Sequence, residues 1–173
     1  MKNTTRSFRL ACSAEQAPDV EALLRAEGFD FQPEPFFALA RTLTAEPMPL
    51  GRSIAARFGY IYIQDKSSML PPLALAPQPG DRVLDLCASP GSKTGILSAL
   101  VGPAGLVLAN EPSPDRLATL RVNMRHLGCL NVATCKYEGQ ALPLGRGSWP
   151  VILLDAPCSG WGTVDKNPMA AKM

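Results

Sequence analysis

Residues 82–95 read RVLDLCASPGSKTG, and the order of residue types in that stretch decides the fold. "RVLDL" (82–86) is a short apolar run that predicts a buried strand. The residues after it are small, and "SKTGILSAL" (92–100) predicts a short helix. Strand, small-residue loop, helix is the repeating unit of a parallel α/β sheet. A loop of this kind brings bare backbone N–H groups to a helix N-terminus, where they can face a ligand.

The alternation continues downstream. "GLVLAN" (105–110), "NVATC" (131–135) and "PVILLD" (150–155) predict three further strands. Between the first two lies the clearest helix, 113–128. Ser113 suits its N-cap, Pro114 its first helical position and Asp115 its first turn. Leu117, Leu120, Met124 and Leu127 share one face, and Gly128 follows the last turn. The expected class is α/β, a Rossmann-like parallel sheet covered on both faces. Ligands bind such sheets beyond the carboxyl ends of the strands. Every suggestive segment here falls at such an end: 85–93, 110–111, 138–139 and 155–160.

Residues 1–58 have another character and predict a small N-terminal region of helix and loop, with the main domain spanning 59–173. "APDVEALLRAEGF" places Val20, Leu23 and Leu24 on one helix face, with Gly28 as the stop. "FQPEPFFALARTLTAEPMPLG" carries Pro33, Pro35, Pro47 and Pro49, a density that argues against long regular structure. Phe36, Phe37 and Leu39 are expected to dock onto the main domain. "YIYIQ" (60–64) alternates like a strand, and "SSMLPPLAL" (67–75) reads as partly helical.

Composition excludes several classes. The chain has 173 residues, 46% of them hydrophobic, enough for one packed domain with a small appendage. A net charge of +2 permits a nucleic-acid partner without indicating one. Five cysteines without a Cys-x-x-Cys pair, beside a single histidine, argue against a zinc site and a disulfide framework. No signal peptide or membrane span is evident, so reduced thiols and a cytoplasmic location are expected.

The loop after the first strand narrows the ligand. A phosphate-binding loop would need glycines at 87 and 92, where Cys87 and Ser92 stand. A dinucleotide fingerprint would need three spaced glycines, and only Gly91 and Gly95 are present. S-adenosyl-L-methionine has no phosphate to cradle but carries a ribose diol that wants an acid at the end of the second strand. Glu111 stands there, directly after "LVLAN". The alternative for Glu111 is a carboxylate favoured by the N-terminus of the following helix. Lys93 opposes the dipole of its own helix, which suggests that it faces substrate or cofactor; a solvated surface lysine is the alternative.

"VLDLCASPGSKTGILSAL", "NEPSPDRLATLRVNMRHLG" and "VILLDAPCSGWGTVDKNP" resemble the first, second and fourth motifs of the Nop/Sun family of RNA cytosine-5 methyltransferases. "LRAEGF" and "GYIYIQDKSSMLPPLAL" are similar to its bacterial ribosomal-RNA branch, acting on 16S ribosomal RNA. The sequence departs from the family pattern at Ser89 and Ser92, usually Ala and Gly, at Glu138, usually Asp, and at Asp165, a position that is commonly basic.

The resemblance implies S-adenosyl-L-methionine as cofactor and ribosomal RNA as partner; with the composition, the expectation is no metal, no membrane and a monomer. It gives the cofactor Asp85, Cys87, Ala88, Ser89, Pro90, Gly91, Lys93, Glu111, Arg116, Glu138 and Asp155. Glu111 would take the ribose, Glu138 the adenine edge, and Asp155 would lie near the methyl donor and the target base. The catalytic set it implies is Cys158, Asp155 and Lys93. Carbon 5 of cytosine is a poor nucleophile, so such enzymes add a thiolate to carbon 6. In this family the attacking cysteine belongs to a later motif, and Cys158 would help to release the product. The remaining sequence-level expectation is of a chain truncated before that motif, with C-terminal strands missing and no turnover alone. Two alternatives stay open: a catalytically inactive RNA- or cofactor-binding fragment, and a DNA methyltransferase with Cys158 as nucleophile. Phe58, Tyr60, Tyr62 and Trp161 are candidate stacking partners for a base, and Lys66 and Lys166 candidate backbone contacts. Residues 1–58 would bind RNA or brace the fold.

Overall fold

A computed structural model describes residues 6–145 and 147–156. Two four-stranded sheets divide them. The first comprises β1 (Ser7–Leu10), β2 (Asp30–Glu34), β3 (Phe37–Ala45) and β4 (Ile61–Ile63), with α1 (Ala17–Ala26) and the short α2 (Ile54–Arg57) between strands. It is antiparallel, in the order β2-β3-β1-β4. This corrects the expectation of helix and loop alone over residues 1–58. Pro33 lies in edge strand β2, next to a break in register, where a missing N–H removes little. The nine residues of β3 contain no proline at all. The prolines on either side of it disguised a long strand. β4 lies beyond the change in composition at 58/59, yet its Ile63 pairs with Phe8 of β1.

The core of this sheet is aromatic and aliphatic. Phe8, Leu10, Leu24, Phe29, Phe31 and Leu50 are buried together, and the Phe8 and Phe31 rings meet edge-on at 5.6 Å. Each such side chain stabilises the fold by about 1.5–3 kcal/mol through its burial. Val20 and Leu24 of α1 reach this core and Leu23 packs at its margin, as their spacing predicts.

The second sheet follows the expected pattern closely. After α3 (Leu70–Leu75) come β5 (Arg82–Asp85), α4 (Ser92–Val101), β6 (Leu106–Asn110), α5 (Pro114–His126), β7 (Val132–Cys135) and β8 (Val151–Leu153). All four strands are parallel, in the order β7-β6-β5-β8. Val83, Leu97, Val101, Val107 and Leu153 form one cluster; Leu117, Leu120 and Met124 of α5 form another with Ala88 and Ala109. Among the described residues β8 pairs only with β5, and Ile152 and Leu154 are exposed at that edge.

The two sheets meet along α4 and α5. Ala40, Met69 and Ile96 are buried together at the seam, with Phe37 and Leu73 packed against them. Phe37 therefore docks as expected, whereas Leu39 joins the N-terminal core and Phe36 stays exposed. Gly59 has φ +74°, and a Cβ there would collide with the backbone carbonyl of His126. The His126 Nε2 lies 2.7 Å from the Ala56 carbonyl oxygen. Arg9 of β1 is buried over the Tyr62 ring, 5.4 Å from its centroid. Its guanidinium presses against Gly95, where a side chain would have no room. Burial lowers the Arg9 pKa to about 10, so the group still carries its charge at neutral pH.

Candidate functional site

The carboxyl ends of β5, β6 and β7 are tied by one side chain. Asn110, fully buried at the end of β6, donates to the carbonyls of Leu86 and Tyr137 at 3.2 and 2.9 Å. Its Oδ1 accepts the Tyr137 N–H at 2.9 Å. Three loops thus share one amide, a role that sequence reasoning missed. Its available signal was a polar residue ending an apolar strand.

The loop after β5 is shaped by Gly91. Its φ of +105° suits glycine, and a Cβ there would lie 2.5 Å from Met124 Cε. The loop consequently sits tightly on α5 and leaves its inner face open. Ser89 Oγ donates to the Arg116 carbonyl at 2.8 Å, while Arg116 Nη2 donates to the Ser89 carbonyl at 3.1 Å. Arg116 also pairs with Glu111 Oε2 at 3.3 Å.

Glu111 is 2% exposed, and its Oε1 accepts the backbone N–H of Ser113 at 3.0 Å. The Ser113 side chain makes no such cap bond of its own. The helix-terminus role open to Glu111 is therefore filled. A carboxylate offers about four lone-pair sites, and these contacts leave capacity for a diol.

Asp85 is 1% exposed. Its Oδ2 accepts the Thr94 hydroxyl at 2.7 Å, and Oδ1 has no partner among the described residues. Burial raises its pKa to about 6, against the opposing pull of the Thr94 hydroxyl, the Cys87 amide and Lys93. Thr94, which the sequence did not single out, thereby fixes the carboxylate under the loop.

Lys93 and Asp155 meet at the mouth. Lys93 Nζ lies 2.6 Å from Asp155 Oδ2, with the lysine mostly buried and the aspartate half exposed. Two residues 62 positions apart in sequence are brought together because α4 begins and β8 ends on the same side of the sheet. They border a cleft of about 310 Å³ that Cys87, Ala88, Ser89, Pro90 and Ser92 also line. Burial, followed by the nearby carboxylates of Asp85, Glu111 and Asp155, raises the Cys87 pKa. That environment opposes a thiolate and supports a passive wall.

The opposite wall comes from the antiparallel sheet and the segment after it: Tyr62, Ile63, Gln64, Asp65 and Ser68. These residues had not been assigned to the site, apart from Tyr62 as a stacking candidate. Gln64 is 9% exposed, and both amide atoms lack a partner among the described residues. An unsatisfied buried polar group costs about 1–3 kcal/mol. Its backbone is held by Ser7, whose carbonyl accepts the Gln64 N–H at 3.2 Å and whose hydroxyl donates to the Gln64 carbonyl at 2.7 Å.

The other candidates separate by position. Glu138 is exposed just beyond β7, outside the cleft lining. Phe58 and Tyr60 are 67% and 43% exposed and stack at 6.3 Å on the surface, whereas Tyr62 lies under Arg9. Lys66 forms an ion pair with Glu34, which holds that carboxyl below its usual range together with the Thr42 hydroxyl. Cys158, Trp161, Asp165 and Lys166 lie outside the described residues. A larger cleft of about 890 Å³ opens between the end of β1, α4 and the turn after α5. Among the described residues that line it none is a carboxylate, and none comes from the 85–94 segment. The smaller cleft is the one with the chemistry.

Comparison with known proteins identifies the family. The family model for 16S rRNA methyltransferase RsmB/F matches residues 72–173. The ribosomal RNA small subunit methyltransferase F of Enterobacter sp. (strain 638) is 39% identical over 176 residues, covering 96% of this chain and 36% of its own length. A 28S rRNA (cytosine-C(5))-methyltransferase of Mus musculus is 40% identical over 121 residues, covering 70% of this chain and 15% of its own length. The crystal structure of a methyltransferase homolog from Pyrococcus horikoshii superposes with a TM-score of 0.82 at 35% identity, over 97% of this chain and 55% of that one. The chain thus spans 15% and 36% of the lengths of these two curated relatives. With its parallel sheet, its loop on Gly91 and more than half its length matched by the family model, this chain belongs to the RsmB/F family of 16S rRNA methyltransferases.

Proposed function

We propose that this chain forms the cofactor-binding part of an enzyme that methylates carbon 5 of cytosine in ribosomal RNA. The observation that carries the reading is the Lys93–Asp155 pair, 2.6 Å apart, at the mouth of a cleft walled by Cys87, Ala88, Ser89 and Pro90. The residues suit S-adenosyl-L-methionine: the loop offers bare backbone, and the Oδ1 of Asp85 is buried without a partner among the described residues. Asp85, the 87–93 loop and Glu111 would hold it, with Arg116 fixing the loop and Glu138 reaching the adenine from outside the cleft. When bound, it supplies an electrophilic methyl group.

The chain's own groups position the rest. Asp155 and Lys93 face the entering base. A base must leave its stack to reach them, which favours single-stranded or looped RNA. Thiolate addition to carbon 6 makes carbon 5 nucleophilic; after methylation a base removes the carbon-5 proton and the thiolate departs. Cys158 belongs to that release step on this reading. We assign residues 1–58 with β4 to RNA contact and bracing, the exposed Phe58–Tyr60 stack being the contact surface.

The test is calorimetric titration with S-adenosylhomocysteine, followed by methyl transfer from labelled cofactor to a 16S ribosomal RNA transcript in the full-length protein. Cofactor binding by the unaltered protein, with transfer lost in Lys93→Ala, supports the reading. Absence of cofactor binding by the unaltered protein would sink it.

A further inference from the structure

We infer that Gln64, contributed by the antiparallel sheet module, binds the hydrogen-bonding edge of the target base. The inference rests on the function proposed above and adds a residue to the base site. Three observations converge on this side chain. Gln64 lines the same cleft as Lys93 and Asp155. Its amide is buried, and both Nε2 and Oε1 lack a partner among the described residues. Its main chain is held on both sides by Ser7, so the amide is presented from a fixed point.

A buried amide left without a partner among the described residues is free to take one from a ligand in the cleft. The cleft is about 310 Å³, and its opposite wall belongs to the cofactor loop. The pyrimidine edge matches the amide in kind. Cytosine presents an amino donor at N4 beside an acceptor at N3, and a glutamine presents an acceptor beside a donor. Gln64 Oε1 accepts from N4 while Nε2–H donates to N3. The terminal torsion of glutamine is soft, so the same amide can turn over to meet uracil. Gln64 therefore contributes affinity for a flipped pyrimidine, and exclusion of uracil falls to other groups.

The consequence is that neither module alone contains the base site. The parallel sheet supplies Lys93 and Asp155, and the strand end that closes the antiparallel sheet supplies the amide.

The experiment compares the unaltered chain with Gln64→Met, which keeps the length and removes both hydrogen-bonding groups. Two probes are used: S-adenosylhomocysteine, and a short single-stranded RNA with either cytidine or an abasic residue at one position. RNA binding is read by fluorescence anisotropy with the cofactor product present. Cytidine is expected to bind about 10-fold tighter than the abasic control in the unaltered chain, as two hydrogen bonds to a buried site imply. Gln64→Met should lower that ratio several-fold and leave the cofactor titration unchanged. Circular dichroism confirms folding, and Gln64→Asn serves as a second variant that keeps the amide but shortens its reach. An unchanged ratio in Gln64→Met overturns the inference. So does loss of cofactor binding in that variant, which would assign the amide to the methionine moiety. Failure of the unaltered chain to bind S-adenosylhomocysteine would instead remove the methyl-transfer reading itself.

Discussion

The two sheets bury their apolar residues in different ways, and the difference governs what each does. The antiparallel sheet encloses one aromatic core, Phe8 with Phe29 and Phe31, while Phe36, Phe58 and Tyr60 beside it stay exposed. The parallel sheet is packed around small clusters, and its polar residues gather at the carboxyl ends of its strands. Asp85, Asn110 and Glu111 are all nearly inaccessible there, a costly arrangement tolerated where a ligand is bound. One sheet is built mainly for packing, the other for a site, and the cleft needs a wall from each.

Truncating the aromatic core tests this contrast most severely. Phe8→Ala is expected to destabilise the protein by about 3–5 kcal/mol, the usual cost of emptying a buried phenylalanine site. Because Arg9, Met69 and the Gly59 turn bind the two sheets along a buried seam, both should unfold in one transition. Denaturation followed by far-UV circular dichroism and by tryptophan fluorescence would check it. Two separated midpoints would mean that the sheets are independent.

Acidity probes the other sheet. The Asp85 pKa lies at about 6 in the folded chain against an ordinary 3.8. The folded state therefore binds a proton more tightly than the unfolded state between those values. Stability from this group is highest below pH 4, falls as pH rises through the window and is lowest above pH 6. The full span corresponds to roughly 3 kcal/mol. Melting temperatures from pH 7 to pH 5 should rise more for the unaltered protein than for Asp85→Asn. Parallel pH profiles would show that the carboxylate is solvated in solution.

The smallest effect on stability is expected where the antiparallel sheet meets solvent. Phe58→Ala should change stability by no more than about 0.5 kcal/mol, as at most surface positions. Its affinity for single-stranded RNA should fall roughly 10-fold, the scale of one lost base stack. Unchanged RNA binding would reduce the Phe58–Tyr60 pair to surface packing and leave the module a brace.

Legibility in the sequence followed the locality of each interaction. The parallel strands, α4, α5 and the loop on Gly91 could be read because buried strands appear as apolar runs and the loop is contiguous. β2 and β3 could not, since proline density marks turns while edge pairing tolerates Pro33. Lys93 and Asp155 were both nominated, but their pairing at 2.6 Å depends on α4 and β8 arriving together. Asn110 and Thr94 were passed over because a polar residue beside an apolar run has no distinctive local pattern.

The sequence alone therefore determined the alternating α/β order, the glycine-bent loop and the acidic residues at strand ends. These are written in short-range residue order, which steric and capping preferences read directly. Only the tertiary structure decided that β4 returns to pair with β1, that Arg9 is buried against Gly95, and that Gln64 faces the cofactor loop. A hydrogen bond between strands, or the solvation of a side chain, is settled by whatever distant segment packs beside it.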